Sequence, residues 1–212
     1  MTDAVTKWER EEGVKFLKKI GIKTGQNVLD FGASVGHYSI PAAIAVGKNG
    51  LIYAVDKEQR QLDELSRKTK HLNLKNVKIM WTRGGVTLDF KDESVDVVLL
   101  FDVLHYLKKL EREKLYREIH RVLKPDGFLS VYPKHVFEDS PLYQFKQLKL
   151  DDIKKEIQDS NFNFQEKNCD TISHDDILNP GCVFNFIKKK RTFFSSNFKS
   201  GNEAVRVDRF EY

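Results

Sequence analysis

Cysteine is nearly missing from this sequence: 212 residues contain two, Cys169 and Cys182. Two are too few for a disulfide framework or a CxxC-type zinc site. Ordinary burial of both, no metal site and a reducing, cytoplasmic location are the expectations. A long apolar run is missing as well. The longest, Val95 to Leu107, is broken by Asp96, Asp102 and His105 and falls short of the roughly 20 residues a spanning helix needs, so no membrane span is expected. Met1 to Arg10 carries two acids and two bases and no apolar segment, which predicts no secretory signal.

Excess charge of one sign is also absent from most of the chain. The net charge is +5, but seven bases and three acids fall between Lys188 and Tyr212, leaving 29 bases and 28 acids elsewhere. A basic groove along the fold is therefore not indicated. Nucleic acid remains a possible partner only through the terminal stretch, where Phe193, Phe194, Phe198 and Phe210 alternate with bases.

The chain does have enough apolar residues, 40 %, to bury a core. Val14, Leu17 and Ile20 carry the spacing of an amphipathic helix. Short β-like runs follow at Asn27–Phe31, Leu51–Val55, Val77–Trp81, Val95–Phe101 and Phe128–Tyr132, with helical periods among them. Lys124-Pro125-Asp126-Gly127 is a turn that stops the helix from Leu110 to Leu123. A last helix near Leu150–Asp159 precedes β-like segments at Phe164–Ile172 and Cys182–Ile187. This alternation predicts an α/β fold: a doubly wound, mostly parallel seven-stranded sheet with an antiparallel edge strand. Residues 1–190 read as one domain and 191–212 as a basic, aromatic tail.

In such a sheet ligands lie beyond the carboxyl ends of the strands. The first strand runs into Asp30-Phe31-Gly32-Ala33-Ser34-Val35-Gly36. Glycines there allow a tight turn and close approach of backbone to a ligand. Asp56 follows the second strand, suited to accept hydrogen bonds from the vicinal hydroxyls of a ribose. The pairing points to a nucleoside-containing cofactor. Gly32-Ala33-Ser34-Val35-Gly36 also has the GxSxG form of a hydrolase elbow, but such a strand normally follows several others, and only about 25 residues precede this one. The spacing does not supply GxGxxG, which disfavours a dinucleotide.

Taken together, Val28 to Gly36, Ala54-Val55-Asp56-Lys57, Phe90 to Val98 with Leu104-His105, and Leu123 to Leu129 resemble the class I S-adenosylmethionine-dependent methyltransferases, especially the subgroup related to quinone biosynthesis. The resemblance implies S-adenosylmethionine as cofactor and S-adenosylhomocysteine as product. It implies that Asp30 orders the loop at the methionine end and that the amides of Gly32, Ala33, Ser34 and Gly36 lie along it. Asp56 would hold the ribose and Lys57 would lie beside the adenine. Phe101 would border the transferred methyl. Family members commonly have an acid after the third strand that recognises the adenine amino group. Here Arg83 and Gly84 stand in that segment, and since arginine cannot accept a hydrogen bond, their backbone is left to do the work.

A sulfonium is already an activated methyl donor, so alignment and exclusion of water are the main demands, and a base is needed only for an acceptor that must lose a proton. His37, Tyr38, His105, Tyr106 and His135 are the candidates, with His105 preferred as general base. A small-molecule acceptor is expected, since neither an Asn-Pro-Pro-Tyr-like segment nor a Pro-Cys context follows the fourth strand. Its site would use Trp8 and Phe16 together with Phe137, Tyr143 and Phe145 of the His135–Leu150 loop. The rival readings are methylation of protein or RNA and a non-catalytic cofactor-binding module.

Overall fold

A computed structural model describes residues 3–135, 148–174 and 176–189 of the chain. The N-terminal helical segment is longer than its apolar period predicts: α1 (Asp3–Lys7) passes through a π turn (Trp8–Glu12) into α2 (Gly13–Lys19). The extra residue per turn rotates Trp8 and Glu9 to the interior, where both are buried.

Next come β1 (Asn27–Phe31), α3 (Ser39–Val46), β2 (Leu51–Asp56), α4 (Gln59–His71), β3 (Val77–Trp81) and β4 (Val95–Phe101). A 3₁₀ turn at Leu104–Tyr106 leads to α5 (Lys109–Val122), β5 (Leu123–Tyr132), α6 (Leu150–Asp159), β6 (Phe162–His174) and β7 (Ile177–Lys188). The seven strands form one sheet in the order β3-β2-β1-β4-β5-β7-β6. The first five are mutually parallel, and β7 runs against both β5 and β6. Strand order reverses between β1 and β4, which makes their carboxyl ends the expected ligand crevice.

Central strands buried on both faces explain runs such as Val97-Val98-Leu99-Leu100, all fully buried. One face packs on α5 and α6 through Leu115, Ile119, Ile153 and Ile157. The other packs on α2 and α3 through Leu17, Ala42 and Val46. Leu62 and Leu65 of α4 close on Ala33 and Ile40, so the helix after β2 packs against the segment after β1.

Three expectations are corrected here. The turn at Lys124–Gly127 lies inside β5, looped out between Leu123, which pairs with Val95, and Phe128, which pairs with Val97. The last two strands are a hairpin much longer than the sequence indicates, because Ser173, His174, Asn179 and Gly181 read as loop although the ladder carries them. Cys169 and Cys182 are not buried singly but face each other across that hairpin and form a disulfide. Directly opposed residues of an antiparallel pair bring their Cβ atoms within bonding reach. The cysteines therefore give no ground for inferring a reducing compartment.

Among the described residues no helix is long and apolar enough to cross a membrane. The aromatic residues Phe137, Tyr143 and Phe145, and the tail 191–212, lie outside the described residues.

Candidate functional site

The segment between β1 and α3 folds back onto β2: the amides of Gly32 and Ala33 both donate to the Val55 carbonyl, at 2.8 and 3.0 Å. Gly32, Ser34 and Gly36 all have positive φ. Glycine is required at Gly32 and Gly36 on a second ground. A Cβ on Gly32 would overlap Val103, and one on Gly36 would overlap the buried Leu65. The helix after β2 and the loop after β4 thus both set the shape of this turn.

Asp56, at the end of β2, accepts from the Ser34 amide through Oδ2 at 2.8 Å and from the Glu58 amide through Oδ1 at 2.9 Å. Each carboxylate oxygen has two lone pairs, so the group is aimed and partly exposed, with acceptor capacity left for hydroxyls. Asp30, at the end of β1, is buried and accepts from the Ser39 hydroxyl at 2.6 Å. Burial pushes its carboxyl up to about 7; the Ser39 hydrogen bond works against that rise and the nearby Asp56 charge adds to it.

The Lys57 side chain runs beside Gly84, at whose position a Cβ would approach its Cδ to 3.3 Å. Its Nζ lies 5.5 Å from the centre of the Tyr106 ring. Trp81 Nε1 donates to the Lys57 carbonyl at 2.9 Å. Lys57 therefore lies beside both Gly84 and Tyr106, while Arg83 is exposed. Phe101 is buried between Tyr38 and Tyr132, with edge-on ring contacts at 4.6 and 6.4 Å.

Trp8 donates to the His37 carbonyl at 2.9 Å. Buried Glu9 lies 3.1 Å from His37 Nδ1 and accepts from Lys68 at 2.8 Å. Burial alone would raise Glu9, but the hydrogen bonds from His37 and Lys68 outweigh it and hold the carboxyl below its usual range. Trp8 and Phe16 are 1 % and 3 % exposed, which corrects the expectation that they face an acceptor. They are core residues holding the N-terminal helix against the turn.

His105 is buried, with Nδ1 3.3 Å from Asp102 Oδ1 and its ring 3.8 Å from that of Tyr106. It borders an open cleft of about 590 Å³ that Lys108, Arg112 and Leu148 also line. The structure adds two residues that the sequence does not single out, Asp102 and His174, and joins them to the candidate His135. Asp102 and His135, both at positive φ just past β4 and β5, meet His174 from the end of β6. The only local signal for Asp102 and His174 is their position at a strand end.

Comparison with known proteins gives a consistent picture. Residues 28–127 match the family model described as a methyltransferase domain. The chain is 31 % identical over 117 residues to a demethylmenaquinone methyltransferase of Lactobacillus johnsonii, covering 55 % of this chain and 47 % of that protein. To the enzyme of the same name from Geobacillus stearothermophilus it is 30 % identical over 146 residues, covering 66 % and 58 % respectively. The chain thus spans about half the length of these curated relatives. Its fold is similar to a SAM-dependent methyltransferase from Aquifex aeolicus, with TM-score 0.68 and 22 % identity, over 85 % of this chain and 92 % of that one. It is also similar to magnesium protoporphyrin IX methyltransferase from Synechocystis, solved with bound SAH, with TM-score 0.62 and 20 % identity over 84 % and 81 %.

Proposed function

We infer, from the match of residues 28–127 to a methyltransferase domain and the likeness to S-adenosylmethionine-dependent methyltransferases, that the protein transfers the methyl group of S-adenosylmethionine to a small-molecule acceptor. The observation that carries this reading is the arrangement at the switch point. A glycine turn is closed on β2, with the Gly32 and Ala33 amides on the Val55 carbonyl and the Ser34 amide on Asp56, which brings its backbone beside an aimed carboxylate.

In this reading Asp56 accepts from the ribose hydroxyls. Lys57 and Gly84 flank the adenine, with the Arg83 and Gly84 backbone in place of the acid that is missing there. The turn Gly32-Ala33-Ser34-Val35-Gly36 follows the methionine portion, Asp30 fixes that turn, and Phe101 borders the methyl. The acceptor's lone pair forms the new bond to the methyl carbon as the carbon–sulfur bond breaks, and its electron pair stays on sulfur. What the protein contributes is near-attack alignment and exclusion of water. The names of the curated relatives favour an acceptor of small-molecule, quinone-like type.

Titration calorimetry with S-adenosylmethionine and S-adenosylhomocysteine tests the reading. Hydrogen bonds to a charged group contribute about 1.5–3 kcal/mol each, so Asp56→Ala is expected to weaken both ligands at least about tenfold. Absence of binding at millimolar ligand, or an Asp56→Ala variant that binds as the parent does, would overturn it. A methyl-transfer screen over fractionated small-molecule extracts then identifies the acceptor.

A further inference from the structure

We propose that Asp102, His135 and His174 form a binding site for a first-row divalent cation of the zinc type. We further propose, resting on the methyl-transfer reading above, that this cation holds an oxygen of the acceptor as an additional ligand. Three strand ends build the site. Asp102 follows β4 directly, and its amide donates to the Tyr132 carbonyl of β5 at 3.0 Å. His135 follows β5. His174 ends β6, in the hairpin whose pairing continues from Phe184, opposite Val131 of β5, out to the His174–Ile177 pair. That outer part of the hairpin extends beyond the last pairing of β5 and leans back over the site. Tyr38 donates to the Ser173 carbonyl at 2.6 Å, and Lys19 donates to Asp170 at 2.9 Å. The disulfide spans the two strands of the same arm.

One donor atom from each residue lies within 4.8 Å of the other two. His174 Nε2 is 2.9 Å from Asp102 Oδ2 and 3.2 Å from His135 Nε2. His135 Nε2 is 3.7 Å from Asp102 Oδ1. A ring nitrogen carries at most one hydrogen, and once protonated it has no lone pair in the ring plane to accept with. If His174 Nε2 carries the proton, it donates to Asp102 and faces His135, and if it does not, its lone pair faces the carboxylate. A cation at the centre takes a lone pair from each of the three residues. The distances from His174 Nε2 to the other two donors, 2.9 and 3.2 Å, are near the about 3.4 Å that ligand bonds of about 2.0–2.2 Å at tetrahedral angles give. In addition, Asp102 Oδ1 is buried and makes no hydrogen bond among the described residues. His105, 3.3 Å away through Nδ1, stands where an outer-shell partner orients a ligating carboxylate.

Two imidazoles and one carboxylate select zinc, iron, cobalt or manganese over magnesium or calcium, which prefer oxygen alone. Three protein ligands leave at least one coordination position open. The site adjoins Phe101, the residue that borders the methyl in the proposed reaction. A hydroxyl bound to such a cation loses its proton to solvent near neutral pH. The resulting oxygen anion forms the carbon–oxygen bond to the methyl, the carbon–sulfur pair goes to sulfur, and the sulfonium leaves as a neutral thioether. The class of acceptor is thus a metal-coordinating hydroxyl compound, and no separate protein base is required.

The test uses the full chain, stripped with a chelator and titrated with Co²⁺ followed by visible absorption and with Zn²⁺ by calorimetry. S-adenosylmethionine is titrated in parallel. About one equivalent of either metal per chain is expected, with the intense visible bands of low-coordinate Co²⁺ that shift when azide enters the open position. Loss of a direct ligand in His174→Ala or His135→Gln should weaken binding by more than the 10–100-fold that outer-shell changes cost. S-adenosylmethionine affinity and the circular dichroism of both variants should remain those of the parent. A protein that binds S-adenosylmethionine but neither metal at micromolar concentrations overturns the metal site alone. So does metal binding that survives both substitutions together. Metal binding without S-adenosylmethionine binding supports the site and overturns the methyl-transfer reading, and with it the role assigned to the acceptor oxygen.

Discussion

A carboxyl that is buried under a ligand-binding turn has a measurable signature. Asp30 is held up to about 7, against an ordinary value of 3.8, mainly by burial. The folded protein therefore keeps this proton where the unfolded chain has lost it, and the stability contributed by the neutral acid is complete below about pH 4 and declines as pH rises toward 7. Asp30→Asn keeps an oxygen for the Ser39 hydroxyl and removes the titration. Its stability relative to the parent should rise with pH across that interval, by at most about 1.4 kcal/mol per unit, in urea unfolding at pH 5 and 8. Parallel behaviour of the two proteins would show that Asp30 is ionised throughout. Asp30, Gly32, Gly36 and Asp56 are legible in the sequence because each sits at the end of a strand or in the turn just past it, within a short stretch whose chemistry is local. His174 is not legible, because only the path of the β6–β7 hairpin brings it to Asp102, and no spacing along the chain encodes that meeting.

At the scale of elements, the turn after β1 is shaped by its neighbours as much as by its own residues. Gly25 and Gly36 both have positive φ, 83° and 95°. Nothing lies within 4 Å of a Cβ placed on Gly25, whereas one on Gly36 meets the Leu65 side chain. Gly25→Ala should then cost only the backbone penalty of about 1–2 kcal/mol. Gly36→Ala should cost a further ~1–3 kcal/mol for overpacking and weaken S-adenosylmethionine by shifting the turn. Denaturant midpoints and calorimetry on both variants check this, and equal costs would refute the assignment. The alternation of strands and helices is readable because buried parallel strands leave continuous apolar runs such as Val97 to Leu100. The arm from Cys169 to Cys182 is less readable, since apolar residues such as Ile172 and Leu178, which pack on the core, are sparse along a mostly polar ladder, and its disulfide depends on register rather than on cysteine number.

For the whole molecule, the decisive feature is a buried charge cluster that ties distant segments together around the site. Glu9 of the N-terminal π turn bonds Lys68 of α4 and His37 of the turn after β1. His37 Nε2 in turn lies 3.5 Å from Asp176 between β6 and β7. The amphipathic period of the first helix predicts packing but not this clamp, because the π turn that aims Glu9 inward breaks the 3.6-residue period. Lys68→Met leaves the Glu9 carboxylate buried without its cation, a change that costs about 3–5 kcal/mol in comparable pairs. Glu9 is held below its usual range in the parent, so the parent's advantage is present above about 4.5 and is lost as pH falls through the depressed value. In the variant the same carboxyl takes up a proton more readily. The stability gap between parent and Lys68→Met should therefore be largest near pH 7 and narrow as pH is lowered toward 5, in urea unfolding at both values. A gap independent of pH would mean that Lys68 contributes through packing of its stem rather than its charge. A large gap at pH 7 accompanied by weaker S-adenosylmethionine binding would place the clamp in control of the turn that holds the cofactor.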